Sequence, residues 1–441
     1  MTEGLKPYAE YRESGSKWLG AVPVEWEVRN LRTLISKRSE RDRADLPLLS
    51  VARERGVFVR SLTDAEENHN VIPEDLSNYK VARAGNLVIN KMKAWQGSMG
   101  IAPCDGIVSP AYFVFDFRIA NRAFGQRLLR SKPYVAHFGQ ASDGVRVGQW
   151  DLSIPGMRQI PVLVPSEEEQ AAIVRFLDHA NRKIDGFIRA KRKLIGLLNE
   201  QKQAIIETAI SEVFSDNCRT MPVRAVLRPV KRLGFPNKTL LSLFRDFGVI
   251  PKDSRENKNV DVRDLALCQL VNPGDVVMNK MKAWQGSIAV SGLEGIVSPD
   301  YMVLEFQIEP IVKDFFHYAL RSPGMVANYR KQAYGVRPGQ WRLMYPDFCR
   351  LRLPVPTVSE QQVIVNHIRS ATEGINTAIT RTEREITLMQ EYRTRLTADI
   401  VTGKLDVREA AAKLPDPPEP ETGIEDSDDA DLENEIAVEE G

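Results

Sequence analysis

Asn90-Lys91-Met92-Lys93-Ala94-Trp95-Gln96-Gly97-Ser98 recurs letter for letter as Asn279-Lys280-Met281-Lys282-Ala283-Trp284-Gln285-Gly286-Ser287. Nine identical residues at an offset of 189 are not a chance match, and the agreement continues on the C-terminal side. Gly106-Ile107-Val108-Ser109-Pro110 returns as Gly295-Ile296-Val297-Ser298-Pro299 at the same offset. Gly144-Val145-Arg146-Val147-Gly148-Gln149-Trp150 returns as Gly335-Val336-Arg337-Pro338-Gly339-Gln340-Trp341, at an offset of 191. Two domain-sized copies make a duplication and not a solenoid.

Around each copy, short apolar runs are broken by turn residues. Leu48-Val51, Asn86-Asn90 and Ala111-Phe115 read as strands, and Arg122-Leu129 and Lys132-Phe138 as short helices. Gly274-Met278 and Tyr301-Phe306 are the matching strands of the second copy. The pattern predicts two mixed α/β domains. Ahead of the first, Trp18-Leu19-Gly20, Val22-Pro23, Trp26, Val28 and Leu31 predict an ordered arm feeding a first strand or helix.

Each domain is followed by a capping box, Ser166 with Glu169 and Thr357 with Glu360, that opens a long helical pattern. The first carries Ile173, Leu177, Ile184, Ile188, Ile195, Leu198, Ile205 and Ala209. The second carries Ile364, Ile368, Ile375, Ile379, Ile386, Met389, Leu396 and Ile400, stopped by Gly403. Spacings of three, four and seven over about five heptads make a narrow seam. A helix of ~45 residues spans roughly 65 Å. Such a seam is satisfied economically if the two helices pair antiparallel, giving domain, helix, domain, helix with pseudo-twofold symmetry. Pairing with a second subunit satisfies it as well.

Composition fits a soluble chain, with no apolar run of membrane-spanning length and no leader-like start, which points to the cytoplasm. Cys104, Cys218, Cys268 and Cys349 show no paired spacing, so neither zinc nor a disulfide framework is expected. The net charge of +1 conceals a division. From Leu414 to Gly441 there are 12 acidic residues and no Lys or Arg, which leaves a body with 60 basic and 47 acidic residues. A basic body with an acidic tail suits a polyanionic partner such as nucleic acid. The tail reads as disordered and solubilising, with mimicry of DNA as the functional alternative.

The candidate DNA-binding residues are Lys91, Lys93, Gln96, Arg146 and Gln149 with their copies Lys280, Lys282, Gln285, Arg337 and Gln340. Lys and Arg neutralise phosphates, and Gln and Arg can bond base edges. Trp95, Trp150, Trp284 and Trp341 read equally as core anchors. Residues identical in both domains cannot make them read different sequences, so they suit scaffold or phosphate contact. Discrimination falls to what differs, Arg53–Asn78 against Arg245–Asp264 and Lys132–Ser142 against Ser322–Tyr334. No catalytic constellation is visible. There is no Gly-x-x-x-x-Gly-Lys-Ser/Thr loop, Asp416-Pro417-Pro418 lacks the following aromatic of an amino-methyltransferase loop, and Glu256 with Lys258 has no duplicate. His69, His137, His179, His317 and His367 form no ligand spacing.

In this order, these motifs resemble the DNA-specificity (S) subunit of type I restriction–modification enzymes over residues ~8–408. Ser16 to Gly20 with Val22-Pro23 and Trp26 carry the likeness at the start. The duplicated blocks and the two helix openings carry it in the middle, and Glu391 to Leu396 with Val401-Thr402-Gly403-Lys404 carry it at the end. The resemblance implies an α/β (α+β) chain with two target-recognition domains separated by two long helices in an antiparallel coiled coil. The expected division is 1–164, first domain; 165–214, first spacer helix; 215–355, second domain; 356–404, second spacer helix; 405–441, acidic tail, which is outside the family pattern. It further implies that double-stranded DNA is read as a bipartite site. The chain would hold no cofactor and have no activity of its own. Two methyltransferase subunits would bring S-adenosylmethionine, and two restriction/translocase subunits would use ATP. Lys191-Arg192-Lys193 and Glu200-Gln201-Lys202 are the expected docking faces. The competing readings are an autonomous nuclease or methylase and a coiled-coil adaptor without DNA contact.

Overall fold

A computed structural model describes residues 5–61, 75–144, 150–215, 218–244, 248–254, 265–335 and 341–415. Within them the chain forms two compact units, one of residues 5–191 with 384–415 and the other of residues 192–383. Each contains one α/β domain, and each long helix begins in one unit and ends in the other. The two helices fall within one to three residues of the expected 165–214 and 356–404.

The first domain is built on a four-stranded antiparallel sheet in the order Ile35–Arg38, Tyr112–Phe117, Leu87–Asn90, Met99–Ile101. Side chains alternate across a strand. Leu87 and Ile89 enter the main core with Phe124, Phe138 and Trp26, while Val88 enters a second core with Leu49, Val57 and Val108. Both faces are covered, which explains why Leu87-Val88-Ile89 is uniformly apolar. The second domain repeats the plan with Leu227–Val230, Tyr301–Phe306, Val276–Asn279 and Ile288–Val290. The register repeats too: Tyr112 faces Asn90, and Tyr301 faces Asn279.

Gly106 and Gly295 show why one repeated motif begins with glycine. A Cβ on Gly106 would lie 2.7 Å from the Pro47 carbonyl oxygen, and one on Gly295 would lie 2.5 Å from that of Thr239. Each domain closes on itself where its ends meet. Glu27–Asn30 pairs with Pro161–Val164, and Thr220–Pro222 pairs with Arg352–Pro354. The N-terminal arm is a hairpin, Tyr11–Glu13 with Ala21–Pro23, that leads to the buried Trp26.

The first long helix is Glu167–Ser215 and the second Val358–Val401. The second opens with a reciprocal capping box. Glu360 N donates to Thr357 Oγ1 at 3.4 Å, and Thr357 N donates to Glu360 Oε2 at 2.7 Å. In the first, Glu169 N donates to Ser166 Oγ at 3.2 Å, but the buried Glu169 carboxylate does not reach back as expected. It accepts from Tyr8 Oη at 2.6 Å, fastening the N-terminal arm to the helix start. That carboxylate and burial push the Tyr8 phenol well up, burial contributing most. Asp178 and Asp185 of the first helix pair with Arg127 and Arg393, and Lys191 pairs with Glu385 at 2.7 Å. Partners run from 393 to 385 as the first helix advances from 185 to 191, so these segments are antiparallel. In the other unit Ile206, Ala209 and Ile210 share a core with Ile364, Val365 and Ile368.

All sixteen proposed seam residues are covered. Ile173, Leu177, Ile184, Ile188, Ala209, Ile368, Ile375, Leu396 and Ile400 are buried, and Ile195, Leu198, Ile205, Ile364, Ile379, Ile386 and Met389 are half-buried. The seam does not serve helix pairing alone, because Ile173 and Leu177 also complete the first domain's core, and Ile364 and Ile368 the second's. Among the described residues no helix is long and apolar enough to cross a membrane.

The tail needs a later boundary than Leu405. Val407 and Ala411 are buried, Arg408–Ala412 is helical, and Asp406 N donates to the Lys6 carbonyl at 2.8 Å. Apolar contacts with Tyr8, Trp26 and the first long helix hold this segment. The acidic residues from Asp416 onward lie outside the described residues. Gly403 links helix and segment at φ +75°, where a Cβ would sit 2.6 Å from Pro23 Cδ and 3.1 Å from Trp26 Cζ3. Gly403→Ala should therefore cost roughly 2–4 kcal/mol, read as a lower urea midpoint.

One histidine gives the second unit a pH dependence. His317 packs near Gly248 and Ala289, and burial, then Arg321, lowers its pKa to about 4. The folded imidazole is neutral where the unfolded one binds a proton, so stability is fully present above about 6.5 and falls as pH drops toward 4. The loss should be on the order of 2 kcal/mol. His317→Gln, matching Gln126 at the equivalent place in the first domain, should flatten the thermal midpoint between those values.

Candidate nucleic-acid interface

The repeated nine residues form the same turn twice. After the strand Leu87–Asn90, Asn90 Oδ1 accepts from Met92 N at 3.1 Å. A single 3-10 turn, Ala94–Gln96, then ends on Gly97 at φ +89°. In the second copy Asn279 Oδ1 accepts from Met281 N at 3.0 Å, and Gly286 has φ +98°. Ala94 and Ala283 plug the core beneath. The indoles bond inside the turn, Trp95 Nε1 to the Met92 carbonyl at 3.1 Å and Trp284 Nε1 to that of Met281 at 2.9 Å. Asn, Ala, Trp and Gly are thus explained by the turn itself. Met92 and Lys93 remain exposed, while Lys91, Gln96, Lys280, Met281, Lys282 and Gln285 are partly so.

The far tryptophans join these turns. Trp95 packs on Trp150 with ring centroids 5.1 Å apart, and Trp284 on Trp341 at 5.3 Å. Each pair is tilted and half-exposed, so the indoles are neither wholly core nor free platforms. Backbone bonds of 2.9 Å from Leu152 N to the Lys91 carbonyl, and from Leu343 N to that of Lys280, complete the join. Structure therefore brings Lys91, Lys93 and Gln96 beside the stem of the Gly144–Trp150 loop, and Lys280, Lys282 and Gln285 beside that of Gly335–Trp341. Arg146, Gln149, Arg337 and Gln340 lie outside the described residues, as do Glu256 and Lys258.

The first domain's face gathers positive charge. The partly buried Lys80 ammonium is held below its ordinary range, first by desolvation and then by Lys37, Arg41 and Lys91. Lys80 Nζ donates to the carbonyls of Pro110 and Tyr112, both at 2.6 Å. In the second domain Gln269 Nε2 takes the Tyr301 carbonyl at 2.8 Å, and Lys280 Nζ takes that of Pro299 at 2.9 Å. Lys91 instead pairs with Asp151 at 2.9 Å.

Of the segments that differ between the domains, Lys132–Ser142 and Ser322–Tyr334 are largely helix, Lys132–Gln140 and Pro323–Gln332. Each packs one face inward through Tyr134 and Phe138, or Met325 and Tyr329. Much of Arg53–Asn78 and Arg245–Asp264 lies outside the described residues. No cluster of His, Cys, Asp or Glu able to hold a metal ion occurs among the described residues. None of the four cysteines, Cys104, Cys218, Cys268 and Cys349, is in a disulfide.

Sequence reasoning missed Gln170 and Gln361. Gln170 Oε1 accepts from Asn121 N at 2.9 Å, and its Nε2 donates to the Pro165 carbonyl at 2.8 Å. Gln361 does the same with Val312 N and Pro356, both at 2.8 Å. These amides weld each long helix to the domain before it. The signal was available, since Glu-Gln recurs in both openings.

Neither a protein-family model nor a curated protein matches the chain. Solved structures do. A chain from a structure on complex assembly and conformational transition of the type I R-M system is 15% identical. The match covers 86% of this chain and 98% of that one at a TM-score of 0.53. The HsdS subunit from Thermoanaerobacter tengcongensis is 16% identical over 88% and 97%, at 0.40. The type I restriction-modification S subunit from M. genitalium is 12% identical over 85% and 96%, at 0.30. At such identities a likeness shows architecture, and the first of them shows that this chain has the fold of a type I restriction–modification protein.

Proposed function

We propose that this chain is the DNA-specificity subunit of a type I restriction–modification complex. Its two domains each read one half of a bipartite duplex site, and its helices fix the gap between halves. The carrying observation is the twice-built turn, with its lysines and tryptophan pair, in a chain of the type I fold. Phosphate contact from basic turns positions such a protein, and the segments that differ supply base readout. Catalysis belongs to partners: two methyltransferase subunits with S-adenosylmethionine, and two ATP-driven restriction subunits. The test is co-expression with the cognate methyltransferase subunit in a host without adenine methylation, followed by genome-wide mapping of methyladenine. A new motif of two short halves around a fixed gap is the expected result. No new mark from a folded, bound methyltransferase would defeat the reading and favour an adaptor.

A further inference from the structure

The stems that flank the Gly144–Trp150 and Gly335–Trp341 motifs carry opposite charge. In the first domain the stem pairs Ser142–Asp143 with Asp151–Leu152, which sets Asp143 opposite Asp151. In the second domain those places are held by Tyr334 and Arg342. Tyr334 N donates to the Arg342 carbonyl at 3.2 Å, and Arg342 N to that of Tyr334 at 2.9 Å. The frame is otherwise constant, with the same tryptophan pairing and the same bond to the lysine carbonyl below. Only the charge is inverted.

The consequence reaches the duplicated lysine. Lys91 is neutralised by Asp151, and Asp143 adds a further exposed negative charge beside it. Lys280 Nζ donates to the neutral Pro299 carbonyl, and Arg342 is exposed at the position of Asp151. Lysine and stem together carry a net −1 in the first domain and +2 in the second. Tyr334 is 60% exposed next to that guanidinium. An exposed phenol and guanidinium, with an ammonium behind them, offer charge and hydrogen-bond donors to phosphate oxygens.

We propose that the Tyr334–Arg342 stem with Lys280 is the chain's principal contact to the sugar–phosphate backbone of duplex DNA. The Asp143–Asp151 stem makes the equivalent stem of the first domain a weak contact. Backbone affinity is thereby unequal between domains whose repeated residues are identical. This rests on the reading of the chain as a DNA-binding protein.

The experiment titrates the full-length chain with a mixed-sequence DNA duplex across about 50–200 mM salt. Arg342→Asp should weaken binding about ten-fold and reduce the slope of log affinity on log salt by about one. Arg342→Gln should do so by less. Asp151→Arg, which also frees Lys91, should tighten binding and steepen the slope by about as much. Unchanged melting curves would show that the folds are intact. Salt-steep binding by the wild type that none of these variants alters would overturn the asymmetry and leave the DNA-binding reading standing. A wild type with no salt-dependent affinity for duplex would overturn both.

Discussion

Alanine in place of Lys91, Lys93, Lys280 and Lys282 together should weaken duplex binding on the order of 10³-fold near physiological salt. Each lysine that neutralises a phosphate releases a counterion and adds about 0.9 to the salt slope. The turns themselves should survive, because their shape depends on Asn90, Ala94, Trp95 and Gly97 and on the equivalent residues of the second copy. Lys280 should account for more of the loss than Lys91, since Lys91 is already ion-paired with Asp151. Affinity at several salt concentrations is the measurement. A quadruple variant with wild-type slope would remove these residues from any DNA contact.

Gln361→Ala should lower the stability of the second unit by roughly 2–5 kcal/mol. The side chain is 1% exposed, and its loss strands the Val312 N–H and the Pro356 carbonyl without partners. Unpaired buried groups cost about 1–3 kcal/mol each, a large part of a domain's usual 5–15. Gln361→Glu keeps the acceptor but forfeits the donor and buries a carboxylate against the Pro356 carbonyl. Gln170→Ala should do the same to the first unit through Asn121 and Pro165. Urea midpoints and amide exchange at Val312 and Asn121 report both. Exchange unchanged at those amides would refute the weld.

The duplication made much of this architecture legible. Tyr301–Phe306 and Arg122–Leu129 form at the predicted residues, since strong periodicity and clear breakers leave little choice. Thr357 and Glu360 form the expected box. Glu169 shows the limit: its local spacing is the same, but Tyr8, distant in sequence, claims the carboxylate. Val407 and Ala411 fall in the tail by sequence because composition cannot reveal that Tyr8 and Trp26 leave a surface for them to cover. At the candidate interface, residue type and copy number single out the lysines. The neutralisation of Lys91 by Asp151 required knowing which side chains meet across a stem.

The strand pairs that close each domain, Glu27–Asn30 with Pro161–Val164 and Thr220–Pro222 with Arg352–Pro354, bring entry and exit of each domain side by side. Everything between those pairs hangs from the chain as a closed loop. A relative's loop of different sequence can replace it so long as it ends in the same two strands and offers the helix that follows the same partners, a backbone N–H for Gln170 or Gln361 and an apolar face for Ile173 and Leu177 or Ile364 and Ile368. If the chain reads DNA as proposed, specificity would be a matter of exchange: replacing what lies between either pair of short strands would change one half of the site without any new fold.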